Sequence, residues 1–100
     1  MTHRVQIEVK GRRFHYDIPC LCVKPGDRIE WKLKNRCPYG LVVKSPVSPL
    51  DWSFKTTGSG KKIAARVNRM AMPGFYPYAV GVYDGTRLLF DDPDIIVRRP

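Results

Sequence analysis

Residues 21–35 read LCVKPGDRIEWKLKN. Leu21 and Val23 share one parity, Pro25 and Gly26 follow, and Ile29, Trp31 and Leu33 resume the alternation with Glu30, Lys32 and Lys34 between them. A period of two puts successive side chains on opposite faces of a pleated strand, so one face here is apolar and the other wet. Proline presets φ near −65° and glycine tolerates positive φ, which suits the pair to reversing the chain. The stretch therefore predicts strand, turn, strand, with one side buried.

The same pattern runs outward in both directions. Val5, Ile7 and Val9 alternate with Gln6, Glu8 and Lys10, Gly11 offers a turn, and Phe14, Tyr16 and Ile18 continue beyond it. GLVVK at 40–44 predicts a short buried strand, and Ile63, Ala65 and Val67 alternate with Lys62, Ala64 and Arg66 in another. In FYPYAVGVY at 75–83, Tyr76, Tyr78, Val80 and Val82 share the inward parity; YDGT then turns the chain, and DIIVRR closes it as a last strand. Residues 45–60, rich in Pro, Ser, Thr and Gly, predict an irregular connection with a helical turn near Leu50–Phe54 and with Trp52 and Phe54 plugging one end of the core. Many short alternating strands separated by turn signals predict an all-β sandwich or barrel.

One hundred residues make a single domain, 1–100, and 43% hydrophobic composition is ordinary for a globular chain. No apolar run approaches the roughly 20 residues of a membrane-spanning helix. The N-terminal MTHRVQIEVK lacks an apolar core of the secretory type, so a cytoplasmic location is expected, a trimmed secreted chain being the alternative. The net charge of +9 predicts attraction to anionic surfaces. The cations are dispersed, as on solvated strand faces. Lys32, Lys34, Lys62 and Arg66 recur on the outward parity of two strands and form the candidate anion-binding set. The expected partner is another protein or a non-specific polyanion.

The order of these pieces resembles the cupredoxin family: VKPGDRIEWKLKN, then CPYGLVV, then PGFYPYAV near the C-terminus, with DDPDIIV as a closing strand. The likeness spans roughly residues 14–97. It implies a Greek-key β-sandwich of about seven strands. It also implies where a copper site would lie, and this chain departs from it at each ligand. Tyr39 stands where the family's first histidine falls, Val80 stands where its cysteine falls, and GVYDGTRLLFDD at 81–92 supplies neither the second histidine nor the axial methionine. A blue-copper centre needs two imidazoles and a thiolate together. The resemblance therefore implies the fold without type 1 copper, and no cofactor is expected.

The remaining chemistry is sparse. Cys20, Cys22 and Cys37 are three thiols, an odd number expected to stay reduced. A copper or zinc site built from Cys20, Cys22, Cys37 and His15, with electron transfer as its use, is the alternative reading, although C-x-C is not the usual zinc-ligand spacing. A Cys22–Cys37 bridge is disfavoured because the strand after Gly26 carries Cys37 well past the other thiols. His15, between Phe14 and Tyr16, is expected to face solvent. Asp84, Asp91, Asp92 and Asp94 suit turn capping and balance against Arg87 and Arg98. TTGSGKK lacks the phosphate-loop spacing, and the two histidines, His3 and His15, leave little from which to assemble a Ser/His/Asp set. The expectation is a non-enzymatic binding module of unknown partner.

Overall fold

Alternation becomes architecture because each strand can bury only one face. In the computed structural model, which describes residues 1–99, ten strands form. They are β1 (Thr2–Lys10), β2 (Arg13–Tyr16), β3 (Leu21–Val23), β4 (Arg28–Leu33), β5 (Tyr39–Val43), β6 (Phe54–Thr57), β7 (Lys62–Arg66), β8 (Gly74–Tyr83), β9 (Leu88–Asp91) and β10 (Asp94–Val97). One sheet has the order β2-β1-β4-β7; the other runs β3-β10-β8-β5-β6, with β9 also paired to β8. The inward faces meet in one core of Val5, Ile7, Ile29, Trp31, Leu33, Ile63 and Ala65 against Leu21, Val23, Tyr39, Leu41, Tyr78, Val80, Val82, Ile95 and Val97. Trp31 is wholly buried at its centre.

The all-β sandwich agrees with the sequence reading, with ten short strands in place of about seven. Three details differ. The turn at Pro25-Gly26, with Gly26 at φ 88°, does not close a hairpin: β3 pairs in parallel with β10 and β4 in parallel with β1, so the turn carries the chain from one sheet to the other. Residues 50–54 make no helical turn. Leu50 forms an isolated bridge to Val67, and 54–57 become edge strand β6 because Thr57, Thr56, Lys55 and Phe54 find backbone partners along β5. The expected plug also separates. Trp52 lies against Trp31 with ring centroids 5.9 Å apart and donates Nε1–H to the Ala64 carbonyl at 2.8 Å, whereas Phe54 points outward and is 65% exposed.

Side chains join what the ladders leave separate. Asn35 accepts from the Val9 N–H at 2.8 Å and donates to the Val9 carbonyl at 2.9 Å, mimicking one more residue of ladder beside β1. Tyr16 on β2 donates to Asp91 on β9 at 2.6 Å and so ties the two sheets. Burial is the main cause of the raised Tyr16 pKa, with the Asp91 carboxylate adding to it. None of the described residues forms a helix long and apolar enough to cross a membrane.

Candidate binding surfaces

The positions at which the family resemblance would place copper ligands lie on β5 and β8, neighbours in the larger sheet. Val80 is wholly buried and registers with Leu41; Tyr39 registers with Val82. Tyr39 sends its hydroxyl across the sandwich to the Lys61 carbonyl at 2.6 Å, with the Trp31 carbonyl at 3.1 Å. Beside it Trp31 donates Nε1–H to the Tyr78 hydroxyl at 3.3 Å, and their rings pack with centroids 5.8 Å apart. Burial raises both tyrosines, Tyr78 to about 12, so both hydroxyls stay neutral. A buried hydroxyl must find a partner or lose the value of a hydrogen bond, and here each has one. This region clamps one sheet to the other. Valine supplies no donor atom, and the Tyr39 hydroxyl is already spent on carbonyls. Beyond it, residues 81–91 form a hairpin of β8 and β9 whose turn is capped by Asp84, which accepts from the Thr86 and Arg87 N–H groups at 2.9 and 2.6 Å.

The hairpin builds a surface that sequence reasoning missed. Gly40, Gly81 and Phe90 lie in one cross-strand row, with Thr56 beyond Gly40; Val42, Ala79 and Phe54 form the next row. All of these face away from the core. The two glycines make a floor and Phe54, Tyr83, Leu88 and Phe90 stand around it, enclosing an open apolar cleft of about 490 Å³. Phe54 and Phe90 are each nearly two-thirds exposed. A Cβ on Gly40 would come within 2.8 Å of Thr56 Cγ2 and 3.2 Å of the Lys55 carbonyl, so close pairing of β5 with β6 requires glycine there. At Gly81 a Cβ would meet only the Phe90 ring, at 3.1 Å. The signal was legible in TRLLFDD: Leu88 and Phe90 alternate with Leu89 and Asp91 after a turn, which is a strand pattern.

The opposite outer face is basic. On β4 and β7, Lys32 lies directly opposite Lys62 and Arg28 opposite Arg66; Gln6 of β1 continues the Lys32 row, and Arg4 lies opposite Glu30 in the row between. Glu30 sits among them, 3.1 Å from Arg28, 3.4 Å from Arg4 and 3.7 Å from Lys62. The Arg28 hydrogen bond chiefly, with the Lys62 and Arg4 charges assisting, holds the Glu30 pKa below its usual range. Lys34 follows on the same parity and lines a shallow depression with Lys32, Arg36 and Ser59. Arg66 spends one N–H on the Gly26 carbonyl at 3.1 Å. The four candidate anion-binding residues thus share one sheet face.

The alternative metal set does not assemble: among the described residues no group of three His, Cys, Asp or Glu side chains could hold an ion. His15 is exposed on β2 opposite Glu8, and Cys37 is half-buried against the core between β4 and β5. Cys20 and Cys22 do meet, with sulfurs 3.4 Å apart; all three thiols are free. The acidic residues take individual roles. Asp84 caps its turn and pairs with Arg87 at 3.4 Å, and Asp92 pairs with Lys44 at 2.9 Å. Arg98, expected to balance this cluster, lies instead beside Cys22, 3.7 Å from its sulfur.

Among solved structures, the reduced Cu(I) form of an amicyanin variant at pH 4 superposes with a TM-score of 0.60 at 15% identity, covering 95% of this chain and 82% of that one. The fold is cupredoxin-like. Pseudoazurin from Hyphomicrobium denitrificans matches with a TM-score of 0.59 at 16% identity over 100% of this chain and 77% of its own. Pseudoazurin from Methylobacterium extorquens AM1 matches with a TM-score of 0.57 at 16% identity over 99% and 78%. No protein-family model and no curated protein matches the sequence. At these identities the shared property of the cupredoxin-like chains is the sandwich itself.

Proposed function

We propose that this domain is a non-catalytic interaction module: a copper-free cupredoxin-like sandwich that binds a protein partner on its apolar outer face. The observation that carries the reading is the cleft over Gly40 and Gly81, walled by exposed Phe54, Tyr83, Leu88 and Phe90. Contiguous exposed apolar surface mostly marks an interaction site, and rigid aromatic side chains supply contact area at small entropic cost. The net charge of +9 specifies the partner further, as an acidic protein presenting an apolar segment, because complementary charge speeds encounter and rejects cationic competitors. The donor set at the family's ligand positions, a valine and a tyrosine engaged with carbonyls, supports binding in place of copper chemistry.

The test is a comparative capture. Immobilised wild-type protein and the Phe54→Asp/Phe90→Asp variant, its fold checked by circular dichroism, are exposed to the same lysate and the captured proteins quantified. An acidic protein held by the wild type and lost from the variant is expected. Identical capture by both would remove the apolar face from the reading.

A second reading rests on the basic face. Like charges directly opposite across strands are destabilising. The Lys32–Lys62 and Arg28–Arg66 pairs therefore favour an anion laid across them. The ligand would be a polyanion bound without sequence preference, since the face offers charge and no recognition helix.

A further inference from the structure

We infer that Cys20 and Cys22 form a reversible thiol–disulfide exchange site at the edge of the larger sheet. The two sulfurs are 3.4 Å apart, in contact as free thiols. Cys20 is exposed and lies in the bend that precedes β3; Cys22 is half-buried on β3 itself. The pair is open to solvent reagents. β3 is three residues long and has β10 on one side only, so its outer edge yields easily.

The two sulfurs have different surroundings. Cys22 Sγ faces the Cys20 thiol and also the Arg98 guanidinium at 3.7 Å. The sulfur that attacks in exchange carries negative charge, and the guanidinium contact is made at Cys22. The contact with Cys22 raises the Cys20 pKa, with desolvation adding to it. Cys22 is the attacking sulfur and Cys20 the resolving one. Among the described residues no histidine or carboxylate completes a three-ligand metal site with them.

The co-reactant is a low-molecular-weight disulfide, RSSR. The Cys22 thiolate attacks one sulfur, the S–S bond breaks, and RS⁻ leaves and takes up a proton. Cys20 then loses its proton, its sulfur attacks Cys22 Sγ in the mixed disulfide, and the second RS⁻ leaves as RSH. Two cysteine thiols have lost two electrons and become one disulfide, and RSSR has gained them to become two thiols. Two residues apart on an extended chain, Cα atoms lie about 6.6 Å apart. A disulfide spans Cα separations of about 4.4–6.8 Å, so ring closure sits at the limit and needs the bend at Cys20 to tighten. A strained, exposed disulfide is readily reduced, which makes the step reversible.

The experiment treats the full-length Cys37→Ser protein with oxidised glutathione and follows it by intact-mass spectrometry and peptide mapping. The expected product is an internal Cys20–Cys22 disulfide carrying no glutathione, reopened by mild reductant. In this background Cys20→Ser should accumulate a stable glutathione adduct on Cys22. Cys22→Ser, which keeps only the sulfur without the Arg98 contact, should react more slowly at Cys20, and Arg98→Gln should slow ring formation severalfold. Wild-type protein should close the same ring and leave Cys37 free. A stable adduct on the Cys37→Ser protein with no ring, no reaction at either thiol, equal rates for the two single variants, or a ring through Cys37 in the wild type would each overturn the assignment.

Discussion

The two outer faces of this sandwich are built on the same plan and present opposite chemistry. On the smaller sheet the outward positions of β1, β4 and β7 include Arg4, Gln6, Glu8, Arg28, Glu30, Lys32, Lys62 and Arg66, a charged lattice in which Glu30 is shared among three cations. On the larger sheet the outward positions of β5, β6, β8 and β9 are mostly apolar: Val42, Phe54, Ala79, Tyr83, Leu88 and Phe90 around Gly40 and Gly81, with Thr56 on the edge strand. An alternating strand needs water or a partner on its second face. The cations of the basic face stand in water, while the Glu30 carboxylate among them is 15% exposed and leans on their charge. The apolar face leaves aromatic surface in contact with water, and burial of such surface stabilises by roughly 25 cal/mol per Å². The difference therefore points to where a protein partner would gain most.

The largest expected effect comes from removing what the faces share. Trp31 lies under both, packing on Trp52 and Tyr78. Trp31→Ala should cost about 3–5 kcal/mol in a urea titration and weaken both proposed binding activities together. If one face kept its full activity in a destabilised variant, the two would not depend on a common core.

Next is separation of the faces. Phe54→Asp/Phe90→Asp should weaken the partner complex at least tenfold, in the range of lost interface hot spots, while heparin binding changes little. Lys32→Glu/Lys62→Glu should do the reverse. Heparin affinity should fall and its logarithmic salt slope should drop by about two, measured by fluorescence across a salt series. A partner complex equally sensitive to both double variants would merge the two surfaces into one site.

Acid should separate the faces more gently. Glu30 is depressed by its Arg28 hydrogen bond, so its attraction for Arg4, Arg28 and Lys62 is present above the ordinary glutamate range and is lost as pH falls through its lower folded value. Protonation there adds one positive charge to the basic face, and heparin affinity should rise below the usual glutamate range; Glu30→Gln should show the raised affinity at neutral pH. Asp84 is lowered from 3.8 to about 2 by the Arg87 and Thr86 amides. Its support of the β8–β9 turn is present above about pH 4 and lost as pH falls toward 2. The group is exposed, so the effect is the smallest of the set: a slightly steeper acid loss of thermal stability in the wild type than in Asp84→Asn.

Much of the fold was legible because alternation is local. Val5 and Ile7, Ile29 to Leu33, Ile63 and Ala65, and Tyr78 to Val82 all entered the core on the parity expected of them. What failed was pairing. Nothing in Phe54–Thr57 alternates strongly, and these residues are a strand only because β5 offers them an open edge and Gly40 lets the backbones approach. The candidate cations were nameable one by one, but that Lys32 faces Lys62 is a matter of register between strands thirty residues apart in sequence.

By itself the sequence determined the all-β class, the parity of the buried face, the excess of positive charge, and a valine and a tyrosine where the family resemblance expects ligands. These are properties of residue identity and a two-residue period. Only the tertiary structure decided that Tyr39 bonds across the sandwich, that Phe54 and Phe90 stand on either side of a glycine floor, and that Cys20, Cys22 and Arg98 converge. Each of these depends on strands distant in sequence becoming neighbours, and that choice is made by the packing of the whole core.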